Sequence, residues 1–84
     1  MSIPKVLIRQ VKAARALLNW SQTELADASG VSVPTVKRLE AGDGYLGGRD
    51  TTAAKICDAL RAAGIEFINE NGAELGVRLR GPSP

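Results

Sequence analysis

Ser32, Thr35, Lys37 and Arg38 fall close together in the run SVPTVKR, bringing two hydroxyls, an ammonium and a planar guanidinium to one short stretch. Such a set supplies hydrogen-bond donors and positive charge, the chemistry of binding an acceptor-rich surface rather than of moving protons. The chain has no histidine, which removes the commonest general base, and no Gly-rich phosphate loop or nucleophile elbow appears. Its single cysteine, Cys57, excludes an internal disulfide, and without histidine there is no Cys/His cluster for zinc. The expectation is a binding protein: not an enzyme, with no cofactor and no metal.

The elements that must position these donors are written around them. Ser21 and Glu24 have the spacing of a capping box, so a helix should begin at Gln22, with Leu25 and Ala26, and in part Ala28, on its apolar face. Gly30 suits its left-handed end. Val31 fills the turn, Ser32 supplies a second N-cap, and Pro34 sits in the first turn, where its missing N–H does no harm. A second helix should run from Val33 to about Ala41. Val36 and Leu39 point inward, and Val33, Pro34, Thr35, Lys37 and Arg38 are left as the exposed face. Taken alone, that face also fits a merely solvated amphipathic helix.

Around this pair, Ile8, Val11, Ala14, Leu17 and Leu18 recur at helical intervals and predict a first helix over about 5–18, ended by Asn19 and plugged by Trp20. Four glycines within 41–49 predict a loop. A fourth helix restarts at Asp50 or Thr51, carries Ile56, Cys57 and Leu60 inward, and stops at Gly64. Thereafter IEFI and VRLR read as a β-hairpin. Asn71-Gly72 invites a two-residue turn, but that register mixes apolar and charged partners. Pairing Glu66 with Arg78 and Phe67 with Val77 sorts the faces and requires a wider loop. Residues 81–84 form a tail. The predicted architecture is mainly α: residues 1–64 form a compact four-helix domain and 65–80 a hairpin extension of it.

The stretch from Ser21 to Gly42 resembles the helix-turn-helix of the XRE/lambda-repressor-like family of bacterial and phage transcriptional regulators. The pattern comprises Arg15, Ser21-Gln22, Leu25-Ala26, Gly30-Val31-Ser32, Val36, Leu39, Glu40 and Gly42, and the likeness extends over roughly 6–63. The resemblance implies double-stranded DNA as the partner, with the second helix in the major groove. It implies base contacts by Val33, Pro34, Thr35 and Arg38. Val33 stands where better-known members often carry glutamine and can offer only a thymine methyl contact, so hydrogen-bonded readout would shift to Thr35 and Arg38. Gln22 is implied as a phosphate contact, and Ser32, Lys37, Tyr45 and Arg49 could join it. Arg15 and Glu40 are implied as a structural ion pair between helices one and three.

One recognition helix reads few base pairs, so a homodimer on paired half-sites is expected, with the fourth helix, the hairpin or both at its contact. A repressor is the leading expectation. An antitoxin-like module that binds a protein partner and autoregulates its operon is the alternative, and an adaptor that has lost DNA binding is a third. The formal charge of +2 does not by itself argue for nucleic acid. Arg78 and Arg80 fit either a secondary phosphate patch or partners for Glu66 and the last helix's acids, while Lys5, Arg9 and Lys12 read as a solvent face. No apolar run reaches membrane-spanning length and the basic start does not read as a secretory signal, so the expected place is the cytoplasm.

Overall fold

The computed structural model describes residues 6–47, 50–68 and 75–81. Four helices are followed by an antiparallel hairpin: α1 (Ile8–Leu18), α2 (Gln22–Ser29), α3 (Val33–Glu40), α4 (Asp50–Ala62), β1 (Ile65–Ile68) and β2 (Gly76–Leu79). Local chemistry sets most boundaries. Asn19 closes α1 at φ 57° and Gly30 closes α2 at φ 75°, both in the left-handed region that asparagine and glycine tolerate best. Ser21 and Glu24 form the reciprocal capping box at the start of α2, and α3 ends at Glu40, one residue before the expected Ala41.

The start of α1 departs from expectation. The periodicity predicts a helix from about residue 5, but Val6 is outside the helix and Leu7 is its extended N-cap, so α1 begins at Ile8. The cause lies in the glycine-rich loop, which is not merely a connection. Ile8 donates its N–H to the Gly44 carbonyl at 2.9 Å and Leu46 donates to the Val6 carbonyl at 2.7 Å, flanking a bridge between Leu7 and Tyr45. These bonds hold the chain before α1 extended, and they bring Leu46 into the core at 4% exposure.

Val11 and Ala14 of α1, Leu25 and Ala26 of α2, Val36 of α3, and Ala53, Ile56, Cys57 and Leu60 of α4 converge in one core, closed at the hairpin end by Ile65. Leu17, predicted on the apolar face of α1, is instead 47% exposed, and Ala28 of α2 is exposed as well. Burying each large aliphatic side chain contributes about 1.5–3 kcal/mol, so packing rather than helix propensity holds elements as short as α2 and α3.

The hairpin has the sorted register: Glu66 opposes Arg78 and Phe67 opposes Val77. Arg78 Nη2 stands 3.1 Å from Glu66 Oε2 across that pair. The predicted Asn71-Gly72 turn lies outside the described residues. β2 packs against α1 and β1 against α4, whereas α3 packs on α1 and α2. Thus α1 is the wall shared by the hairpin and the helix-turn-helix.

Candidate nucleic-acid interface

The geometry of the helix-turn-helix begins at Gly30, whose left-handed conformation turns the chain and whose N–H still bonds the Ala26 carbonyl at 2.9 Å. Ser29 Oγ accepts the Val31 N–H at 3.2 Å, and Val31 is buried, so the turn is fixed by a hydrogen bond and an apolar plug together. Ser32 then caps α3 by accepting the Thr35 N–H at 3.3 Å, while its hydroxyl lies 2.9 Å from Thr35 Oγ1. With Ser32 donating in that contact, the hydroxyl proton of Thr35 remains available to an outside acceptor.

Val36 is buried and orients the rest of α3. Pro34, Lys37 and Arg38 are exposed and Thr35 is half-buried. Among the described residues, neither the Lys37 nor the Arg38 side chain has an ion-pair or hydrogen-bond partner, so both charges face solvent unneutralised. Val33 corrects the sequence reading. It was expected on the outward face, but it is half-buried and packed on the core, because the first residue after the cap closes over the turn. Only part of its side chain is left to touch a partner.

The orientation of α3 is secured at its other end. The Arg15 guanidinium grips Glu40 with two charge-assisted bonds, Nε to Oε2 at 2.7 Å and Nη2 to Oε1 at 2.6 Å, and its Nη1 donates to the Trp20 carbonyl at 3.0 Å. Gln22 Nε2 adds a bond to Glu40 Oε1 at 3.0 Å. One carboxylate therefore ties α1, the first residue of α2 and the last residue of α3. Burial pushes the pKa of Glu40 up, but the hydrogen bonds from Arg15 and Gln22 and the charge of Arg15 outweigh it, holding the carboxyl below its ordinary range. The hydrogen bond to Glu40 likewise raises Arg15, against a smaller effect of burial.

Gln22 is thus committed in part to structure. Its amide oxygen and second N–H remain for an outside group, beside the backbone N–H groups of Gln22 and Thr23, which find no acceptor among the described residues. Glu24 already places a carboxylate at this helix end, accepting the Ser21 N–H at 3.0 Å. That charge opposes an incoming anion. Ser32 is exposed. Tyr45 is 62% exposed, with its backbone bridged to Leu7 rather than to α3, and Arg49 lies outside the described residues.

Sequence reasoning missed Gln10, which is 4% exposed. Its Oε1 accepts the Leu7 N–H at 2.8 Å, while its Nε2 donates to the carbonyls of Gly76 at 2.8 Å and Ile68 at 3.3 Å. One amide therefore caps α1 and fastens the hairpin to it. The signal was present: glutamine three residues after an N-cap is where such a side chain turns back. Cys57 is buried, as its place on the apolar side of α4 suggested, and burial pushes its thiol pKa up.

Among the described residues there is no group of histidine, cysteine and acidic side chains fit to hold a metal, and no helix long and apolar enough to cross a membrane. No curated protein matches the sequence significantly. A family model described as helix-turn-helix matches residues 11–62, from the middle of α1 to the end of α4. The match takes in the capped pair, the Arg15–Glu40 tie and the exposed face of α3. The chain belongs to this helix-turn-helix family of XRE type, a family of DNA-binding transcriptional regulators.

Proposed function

We infer that this protein is a dimeric, sequence-specific repressor that inserts α3 into the major groove and occludes a promoter in the cytoplasm. The observation that carries the reading is the pair of unneutralised cations, Lys37 and Arg38, beside the free hydroxyl proton of Thr35 on a helix fixed at both ends. Arg38 offers a planar fork to guanine O6 and N7, and Thr35 donates to a base or sugar–phosphate oxygen. Pro34 and the accessible part of Val33 offer apolar contact to a thymine methyl. Lys37 reaches a phosphate with its ammonium and Ser32 with its backbone N–H, since its hydroxyl proton is given to Thr35, and Gln22 with the N-terminus of α2 holds a phosphate that sets the register. Tyr45, exposed on its loop, extends this backbone contact, and the positive charge of Arg49 adds to it.

A single bidentate arginine discriminates by about 1–3 kcal/mol and methyl contacts by less, so one copy of α3 selects weakly. Two copies on a palindrome supply the rest. Selection from random duplexes at physiological salt tests this, with the Thr35→Ala/Arg38→Ala double variant alongside. The expected result is a palindrome with half-sites about 10 base pairs apart, lost in the variant. Retention without sequence preference, or none, would refute it.

A further inference from the structure

β2 pairs with β1 on one side, and among the described residues no strand lies on its other side. Arg80 donates its N–H to the Gly64 carbonyl at 2.9 Å. In an antiparallel ladder this fixes the alternation: Gly76 and Arg78 turn their backbone groups toward β1, and Val77 and Leu79 turn theirs outward. Those outward groups have no backbone partner among the described residues. An edge of this kind is a template for another strand.

The side chains of that edge are unevenly covered. Val77 and Leu79 share one face of β2 by strand alternation, and Leu75, the residue just before β2, has the same parity. Val77 packs on the core, yet Leu75 is 45% and Leu79 36% exposed. β1 also has no second strand beside it among the described residues, but its side chains on this face are covered: Ile65 is buried and the half-buried Phe67 lies under the Arg61 guanidinium, 5.4 Å from its ring centre.

We propose that β2 is the homodimer contact, joining a second copy edge to edge about a two-fold axis through Val77, so that each Leu75 lies opposite the partner's Leu79. Within β2, this is the only centre that sets the two exposed leucines against each other. The Val77 pair is then of the hydrogen-bonded kind and uses the outward N–H and C=O of Val77 in each copy. Charge selects the same register. A two-fold through Arg78 would oppose two guanidinium groups, and one through Leu79 would set Arg78 against the partner's Arg80. About Val77, Arg78 meets the partner's Gly76 and keeps its own Glu66 at 3.1 Å.

The surface beside the edge suits the same occupant. Leu75 and Gly76 line a pocket of about 260 Å³ with Leu7, Arg9, Gln10 and Ala13. The partner's Leu79, set next to Leu75, stands at its mouth. Because the hairpin packs on α1 and α4 while α3 packs on α1 and α2, the joined sheet leaves both copies of α3 uncovered.

The inference depends on the DNA-binding reading only for its use, and its test contains no DNA, so the two fail separately. Sedimentation across a wide concentration range, with circular dichroism to verify folding, would compare the wild type with Leu75→Lys, Leu79→Glu and the variant carrying both. The wild type should dimerise, each single variant should weaken the dimer about tenfold or more, and the double variant should regain affinity because each lysine meets the partner's glutamate. A monomeric wild type, single variants that associate normally, or a double variant no stronger than the singles would each overturn the proposal.

Discussion

Replacing Glu40 with alanine removes the acceptor of three hydrogen bonds and leaves the Arg15 guanidinium with the Trp20 carbonyl alone. Breaking a buried ion pair by deleting one partner costs about 3–5 kcal/mol, most of it the stranded charge. The Arg15 side chain is 19% exposed against 5% for Glu40, so the stranded arginine can recover some water. The expected cost of Glu40→Ala is therefore near the lower end, about 3 kcal/mol. Arg15→Ala strands the more buried carboxylate and should cost at least as much. For 84 residues a total stability of about 4–13 kcal/mol is usual, so the loss is a large fraction of it and should lower Tm by about 12–24 °C. The assay is urea unfolding at neutral pH followed through the single tryptophan, Trp20, which packs against the core. The pair is separated from its parts by Arg15→Met/Glu40→Leu, which should lie far closer to wild type than the summed single losses. A loss below about 1 kcal/mol for Glu40→Ala, as for an exposed pair, or strict additivity in the double variant would refute the reasoning.

Three further expectations follow from the same geometry. Because the folded pKa of Glu40 lies below its unfolded value, its contribution is complete above the ordinary carboxylate range. It is lost as pH falls through that range to the folded value, so Glu40→Gln should flatten acid unfolding followed by Trp20 fluorescence. On a recovered operator, Lys37→Ala should weaken binding evenly across sequences and reduce the salt slope by about 1, whereas Arg38→Ala should relax base preference by about 1–3 kcal/mol at one position of each half-site, both read by titration at several salt concentrations. Cys57, buried with a raised thiol pKa, should resist alkylation in the native state and react at the normal thiol rate in urea. Rapid native labelling would place it at the surface.

The features legible in the sequence were those written by local chemistry. The caps at Ser21 and Ser32 and the left-handed ends at Asn19 and Gly30 depend on residues a few positions apart. The hairpin register followed from sorting Glu66 and Arg78 onto one face. The bonding of Arg15 to Glu40 was anticipated through family resemblance, since nothing local joins residues so far apart along the chain. What escaped reading depends on tertiary neighbours. Gln10 is buried only because the hairpin returns to it, Leu46 because its loop bonds the chain before α1, and Val33 is half-covered because the turn folds it onto the core. Periodicity assigns a side chain to a helix face but not the extent of the neighbour that covers that face, as exposed Leu17 shows.

In the proposed complex α3 lies in the major groove with Arg38 on a guanine. Dimethyl sulfate protection on the duplex recovered by selection reports that contact directly, because the reagent attacks guanine N7 from the major groove. The expected result is a protected guanine in each half-site that becomes reactive again in Arg38→Ala while the complex is still bound at low salt. Full guanine reactivity in the wild-type complex, or protection unchanged in Arg38→Ala, would contradict it.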